Sequence, residues 1–234
     1  PAAKVKVDDM VKRLRQALSL TLNEQEWMSP ATKAAAQTKL ASFRAKIGYP
    51  ERWRDYSTLQ ITPTNYLNNV LNSQRFEVKR DLAKIGKPWD SNEWYMSPPT
   101  VNAYYDPQNN EIVFPAGILQ PPFFSLEVDD AINYGGLGMV IGHEIPHGFD
   151  DQGAQFDSQG NLRNWWTEDD LKKFQGLAKA IEDQFSAYQV ADGLNINGKL
   201  VVGESIADLG GLKLALMAYR DSQKIGRASC RERG

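Results

Sequence analysis

The chain contains only two histidines, His143 and His147, and they lie four residues apart in the segment HEIPH. Residues four apart on an α-helix share one face about one turn apart, so both imidazoles can reach the same metal ion. Glu144 lies near that face, where a carboxylate can take a proton from an attacking water. The spacing therefore predicts a helix across this segment, a zinc site, and Glu144 as the general base.

A third ligand candidate lies in the segment GESIADLGG, because a catalytic zinc site usually has three protein ligands and an open position. Glu204 stands where an apolar-periodic helix is predicted to begin, and Asp208 follows one turn later on the same side. This pair suits one ligand and one carboxylate that accepts the second ring N–H of a zinc-bound histidine. Without HEIPH, the same pair would indicate a solvated helix face. We expect one Zn²⁺ per chain.

The composition narrows the possible partners. With 41% hydrophobic and 24% charged residues, the chain can form a globular core. Its net charge of -2 gives no electrostatic reason to expect nucleic acid as a partner. It has no run of about 18 apolar residues, so we predict no transmembrane segment. The opening Pro1 and the lack of a signal segment indicate a missing N-terminus.

The final KIGRASCRERG has the character of translated adapter sequence, so residues 224–234 are interpreted as a non-native scar. The only cysteine, Cys230, lies within it. The rest of the chain therefore has no thiol for a disulfide or for a cysteine-ligated metal.

Three amphipathic helices are predicted upstream. The first carries apolar residues at helical spacing from Val7 to Leu18, and the second spans about 29–48. The third spans about 63–86, and its candidate buried positions are Tyr66, Val70, Val78, Leu82 and Ile85. We interpret residues 1–96 as a fragment of a structural helical lobe.

Downstream of residue 96, the pattern predicts a mainly α, α+β domain over 97–223. The segments VNAYY and EIVF flank the turn-rich DPQNN and predict a β-hairpin. A helix is predicted from about Asp130 through HEIPH. Thr167 and Asp170 form a capping-box pattern that opens a further helix, ending near Gln189.

Six segments in this order resemble the catalytic part of neprilysin-like zinc peptidases, including bacterial endopeptidases of the O type: VNAYY, FPAGILQPPFF, NYGGLGMVIGHE, HGFDDQGAQFD, NWW and GESIADLGGLKLA. The resemblance is strong from about Ser97 to Tyr219, and weaker upstream in WMSPATKAAA and FRAKIGYP. It implies a thermolysin-like zinc lobe facing part of a second helical lobe across a cavity that limits substrates to peptides.

The implied activity is zinc-dependent hydrolysis of internal peptide bonds, and the alternative is a catalytically silent relative that binds peptides. The lack of cysteines outside the scar is more typical of a bacterial member than of disulfide-rich animal ectodomains. Periplasmic, secreted and cytoplasmic locations stay open, as does the oligomeric state.

The resemblance also implies residue roles. The family's zinc ligands match His143, His147 and Glu204. Glu144 matches the general base, Asp208 the catalytic carboxylate that orients a ligand histidine, and Asp150 a second aspartate behind the ligands. Asn102 and Ala103 match the pair that holds the substrate main chain. The pocket for a large apolar side chain after the scissile bond matches Phe123, Met139 and Val140.

The sequence departs from the family pattern at Pro146, where threonine is usual. Proline removes the N–H that would bond the Gly142 carbonyl and crowds that carbonyl, which costs about 3 kcal/mol or more inside a helix. We expect a kink between the histidines, and our hypothesis is that Pro146 weakens zinc binding or reflects a sequencing error. The family also places an oxyanion-stabilising histidine and an arginine in a segment that this sequence does not include, so we expect the fragment to be impaired.

Overall fold

The structure is a computed structural model that describes the backbone of residues 1–231 and the side chains of residues 1–223. The segment interpreted as a scar, 224–234, therefore lies outside the residues whose side chains are described. The chain divides into two compact units, one formed by residues 1–49 together with 96 onward, the other by 50–95. Within the described residues, no helix is both long and apolar enough to span a bilayer.

The chain is mainly helical with a small amount of sheet. In chain order the α-helices are α1 (Ala2–Glu24), α2 (Pro30–Ala41), α3 (Tyr66–Leu82), α4 (Asp130–Asn133), α5 (Met139–Glu144), α6 (Glu168–Ser186) and α7 (Gly198–Arg231). The strands are β1 (Arg44–Gly48), β2 (Tyr104–Asp106), β3 (Glu111–Pro115), β4 (Gln189–Ala191) and β5 (Leu194–Asn195). Strands β4 and β5 form a separate two-stranded hairpin.

The three-stranded sheet has the order β1-β3-β2, so β2 lies at an edge. Strands β2 and β3 pair antiparallel, as the hairpin prediction required. Strand β1 pairs parallel with β3, from Arg44 opposite Glu111 to Gly48 opposite Pro115. The predicted second helix over 29–48 is therefore wrong in its last third, because α2 ends at Ala41 and the chain continues into β1.

The apolar face predicted for α1 is buried, from Val7 through Leu18. This face packs in one core with α5 and α7, where Leu14 of α1, Ile141 of α5 and Leu214 of α7 are almost fully buried. Residues 1–49 thus belong to the same unit as the segment from residue 96 onward. This division differs from the predicted boundary at residue 96, because an amphipathic pattern does not show which partner covers its apolar face.

Helix α3 lies in the unit formed by residues 50–95 and is capped by Asn65, whose side chain accepts the N–H of Asn68. None of its residues is buried. Four of the five predicted buried positions in this region are more than half exposed: Tyr66, Val78, Leu82 and Ile85. The helix prediction is confirmed and the burial prediction is wrong. Apolar spacing shows that side chains share one face of a helix, but it does not show whether another element packs against that face.

Candidate metal centre

The segment from Asp130 to Gly148 is helical throughout most of its length, as predicted, but its winding changes. Helix α4 is followed by a π-helical turn over Tyr134–Gly138, then α5, then a 3₁₀ turn over Pro146–Gly148. The α-helical part ends at Glu144 because Pro146 has no N–H to continue it. The change of winding falls between the histidines, where the kink was predicted.

This change leaves the two imidazoles together. The Nε2 atoms of His143 and His147 lie 3.0 Å apart, and the rings are nearly perpendicular, at 88°. The Pro146 ring packs towards α7, where a Cβ on Gly210 would lie 3.2 Å from its Cγ. Pro146 therefore alters the backbone without separating the histidines.

Glycines allow α5 and α7 to cross at very short range. A Cβ on Gly142 would lie 2.4 Å from the carbonyl oxygen of Gly211, and a Cβ on Gly211 would lie 2.7 Å from the backbone nitrogen of His143. Neither separation is compatible with a side chain, so both positions require glycine in this arrangement. The close crossing brings the acidic residues of α7 up to the histidines of α5 and the following turn.

Helix α7 begins at Gly198, so the predicted start at about Glu204 is wrong by six residues. Glu204 consequently lies inside the helix. Its Oε2 is 3.2 Å from His143 Nε2 and 3.6 Å from His147 Nε2. The three residues form the one group of potential metal ligands found among the described residues.

The three donor atoms fit a zinc ion. Bonds of about 2.0 to 2.2 Å in tetrahedral geometry place ligand atoms about 3.3 to 3.5 Å from one another. The observed separations, between 3.0 and 3.6 Å, bracket this value. Two imidazole nitrogens and one carboxylate oxygen are also a donor set that catalytic zinc sites use.

Carboxylates engage the other nitrogen of each imidazole. His143 Nδ1 lies 2.8 Å from Asp208 Oδ1, and His147 Nδ1 lies 2.7 Å from Asp150 Oδ2. Burial alone would lower the pKa of His147, but the hydrogen bond and charge of Asp150 outweigh it, and the pKa is raised. In each contact, the imidazole keeps its proton on Nδ1 and donates it in a hydrogen bond to the carboxylate. The unprotonated Nε2 then points towards Glu204. Asp150 and Asp208 thus each contact one histidine, and their functional roles stay predictions.

The buried carboxylate of Asp150 is itself held by the backbone. Its Oδ1 accepts the N–H groups of Gln152 at 2.9 Å and Gly153 at 2.7 Å. A Cβ on Gly153 would lie 1.7 Å from the carbonyl oxygen of His147, so only glycine fits at this turn. The loop after HEIPH is therefore built around the carboxylate that contacts His147.

Glu144 is 6% exposed and lines the same cavity as the three ligand candidates. Burial raises the pKa of Glu144 to about 7, although the neighbouring His147 and His143 act in the opposite direction. A carboxylate with a pKa near neutrality can both accept and return a proton at physiological pH.

A cavity of about 680 Å³ is lined by the ligand triad, Glu144 and the predicted pair Asn102 and Ala103. This pair immediately precedes the edge strand β2. The lining also includes Tyr105, Gln152 and Lys199, which the sequence did not single out. Tyr105 and Gln152 each lie two residues from a predicted site residue, which is the local signal that could have found them.

The three residues predicted for the apolar side-chain pocket are absent from the described lining of this cavity. Phe123 and Val140 are partly buried and pack against the hydrophobic core. Met139 is also partly buried. Their role in side-chain recognition stays a prediction.

Comparison with known proteins identifies the family. A model of peptidase family M13 matches residues 102–232, more than half of the chain, and a second model of the same family matches residues 1–50. The chain belongs to peptidase family M13. Relatives of this M13 chain include an endothelin-converting enzyme homolog of Locusta migratoria, 40% identical over 224 residues, and neprilysin-11 of Caenorhabditis elegans, 44% identical over 220 residues.

Solved structures agree with this membership. The M13 chain superposes on Mycobacterium tuberculosis zinc metalloprotease Zmp1 in complex with an inhibitor, with a TM-score of 0.91 and 49% identity. It also superposes on PepO of Lactobacillus rhamnosis, with a TM-score of 0.85 and 41% identity. These matches confirm the mainly helical, thermolysin-like fold with a small sheet, and the neprilysin-type resemblance.

The M13 chain is short beside its relatives. The matches cover 93% of it and 31% of the locust protein, and 90% of it and 26% of the nematode protein. They cover 95% of it and 35% of the Zmp1 chain, and 92% of it and 34% of the PepO chain. The chain therefore spans about a quarter to a third of the length of these proteins. Members of the family are zinc metallopeptidases, and the cofactor is Zn²⁺.

Proposed function

We propose that this chain carries the zinc-binding and proton-transferring part of an M13 endopeptidase that hydrolyses internal bonds of peptides. The observation that carries the proposal is the convergence of His143, His147 and Glu204 within 3.6 Å of one another. A bound Zn²⁺ supplies a Lewis acid that polarises the peptide carbonyl and promotes ionisation of water. All three proposed ligands come from this chain.

The remaining steps belong to the protein's own side chains. Glu144 takes the proton of the attacking water and gives it to the departing amine, and its position in the cavity beside the ligand triad suits both transfers. Asp150 and Asp208 keep the ligand imidazoles in one tautomer.

Substrate recognition is proposed on two levels. Asn102 and Ala103, beside the sheet edge, hold the main chain of an extended peptide by strand addition. Phe123, Met139 and Val140 would favour a large apolar residue after the scissile bond, which the family resemblance supports.

The test uses the complete natural protein, whose zinc content and cleavage of internally quenched peptides are measured. Glu144→Gln should keep stoichiometric zinc and lose about 10²- to 10⁴-fold in cleavage rate. Glu127→Gln, at an exposed loop position, is the matched control and should cleave normally. Continued cleavage by the Glu144→Gln protein would defeat the proposal.

A silent peptide-binding relative is the second candidate, and Pro146 within HEIPH is the feature that favours it. This candidate predicts that the natural protein binds peptide with zinc present and cleaves none.

The proposed apolar preference of an active enzyme is tested separately, by comparing cleavage of peptides with leucine and with aspartate after the scissile bond.

A further inference from the structure

Lys39 of α2 is a lysine with a fully buried side chain, 1% exposed. Its Nζ donates hydrogen bonds to the carbonyl oxygens of Gly153 and Phe156, each at 2.6 Å. The same Nζ lies 5.7 Å from the ring centroid of Phe149 and 5.8 Å from that of Trp165. A buried ammonium is costly unless it is hydrogen-bonded, and here the carbonyls and aromatic faces provide its environment.

The loop that Lys39 holds is the one that carries Asp150. Gly153 accepts the Lys39 hydrogen bond with its carbonyl group and donates its own N–H to Asp150 Oδ1 at 2.7 Å. Asp150 Oδ2 in turn lies 2.7 Å from His147 Nδ1. An unbroken series of short contacts therefore runs from Lys39 to a proposed metal ligand.

The backbone of Lys39 is linked to another residue that lines the cavity, Tyr105. The Lys39 carbonyl oxygen accepts the side-chain N–H of Asn110 at 3.0 Å, and Asn110 Oδ1 accepts the hydroxyl of Tyr105 at 2.9 Å. Tyr105 lines the cavity beside the ligand triad. The same residue thus fixes two segments that border the site.

We propose that Lys39 is a positioning residue of the metal centre, whose ammonium holds the 150–156 loop so that Asp150 meets His147. The inference rests on the proposed zinc site and adds to it a residue more than a hundred positions away in sequence. Without the ammonium, the carbonyls of Gly153 and Phe156 lose their donor and the loop loses its tie to α2. Burial lowers the pKa of Lys39 to about 8, while Asp150 and Asp157 act in the opposite direction, so the side chain is still charged at neutral pH.

The first measurement needs no metal. In the complete natural protein, Lys39→Met keeps an unbranched side chain that lacks only the terminal atom of lysine, and it removes the hydrogen-bond donors. Amide hydrogen exchange at Gln152 and Gly153 should become about tenfold faster, as expected when a charge-assisted hydrogen bond that orders a loop is lost. Lys39→Gln, whose side chain is neutral and one atom shorter, provides the same measurement if the methionine variant does not fold. Unchanged exchange at both amides would overturn the inference.

The second measurement is zinc affinity by competition with a chelator, which should fall about tenfold in Lys39→Met, at the low end of the effect of residues behind a ligand. If Lys39 acts through Asp150, the substitution should cause little further loss in an Asp150→Asn background. Equal losses in both backgrounds would contradict the proposal.

Asp170→Asn is the matched control, because Asp170 is also buried and contacts α2 at its other end, through Ser29. It should leave exchange at Gln152 and Gly153 unchanged, and the same acceleration there would show a general loss of stability and overturn the specific role. A wild-type protein that binds no zinc would defeat the proposed function, while the exchange experiment would still decide the role of Lys39 in the loop.

Discussion

Gly142 and Gly211 face each other where α5 crosses α7, with room for no side chain between them. The crossing sets how closely the two acidic residues of α7 approach the histidines. Glu204 reaches both Nε2 atoms, and Asp208 reaches His143 Nδ1. Two residues without side chains thus determine the ligand geometry.

Gly142→Ala should push α7 away from α5, because its Cβ would overlap the carbonyl oxygen of Gly211. We expect weaker zinc binding and a free energy of unfolding lower by about 1 to 3 kcal/mol or more, as for other overpacked sites. Chelator competition and denaturant unfolding measure the two effects.

Gly176→Ala is the control for this substitution, because a Cβ on Gly176 in the interior of α6 meets nothing within 4 Å. It should stabilise the protein by about 0.5 to 1 kcal/mol and leave zinc binding unchanged. Normal zinc affinity in Gly142→Ala would show that the crossing does not set the site.

Asp208→Ala should leave His143 without the acceptor for its Nδ1 proton. Zinc affinity should then fall by about 10- to 100-fold, the usual effect of removing a carboxylate behind a ligand. Asp192→Ala, at an exposed position between β4 and β5, is the comparison. The same affinity in both variants would argue that Asp208 has no part in orienting His143.

Pro146→Thr tests whether the proline weakens the site. Threonine restores an N–H at this position, so the protein should gain up to about 3 kcal/mol in stability. Zinc affinity should stay the same, because His143 and His147 already lie with their Nε2 atoms 3.0 Å apart. A clear rise in zinc affinity would instead support the hypothesis drawn from the sequence.

Asp170 should make stability depend on pH in the acid range. Hydrogen bonds from the hydroxyls of Ser29 and Thr32 hold the pKa of Asp170 below its ordinary value of 3.8. A carboxyl with a lowered folded-state pKa stabilises the fold above its unfolded pKa, and this contribution is lost as the pH falls through the folded pKa. Denaturant unfolding of wild type and Asp170→Asn between about pH 6 and pH 2 should give a stability difference that is constant above about pH 4 and shrinks as the pH falls below the ordinary pKa of 3.8.

The neighbouring exposed residue supplies the control for this prediction. Asp169→Asn, also in the first turn of α6, should follow the wild-type dependence on pH more closely than Asp170→Asn does. A stability difference between wild type and Asp170→Asn that is constant with pH would exclude the carboxyl as its source.

The parts of the fold with a local signal were predictable from the sequence. His143 and His147 are spaced by one helical turn, and Thr167 caps α6 as its position indicated. The capping box was only half right, because the Asp170 side chain accepts from Ser29 of another segment instead of the Thr167 backbone. Local spacing predicts where a helix begins, while the hydrogen-bond partners of its side chains depend on the tertiary fold.

Strand β1 and Lys39 could not be predicted in this way. Phe43 and Ile47 are four residues apart, a spacing that places side chains on one side of either a helix or a strand. The partner strand β3 lies more than sixty residues later and leaves no mark on the local pattern. Lysine is rarely fully buried, so a surface position was the reasonable expectation for Lys39.

The position of Glu204 and Asp208 on a single helix links two properties of the centre. A proposed metal ligand and the proton acceptor of a different ligand are carried by one rigid rod, α7, one turn apart. If α7 tilts, the Glu204 carboxylate moves away from a bound metal ion, and His143 loses its hydrogen bond to Asp208 in the same movement. Release of the ion and rotation of the His143 imidazole would then occur together, as one consequence of a shift of α7.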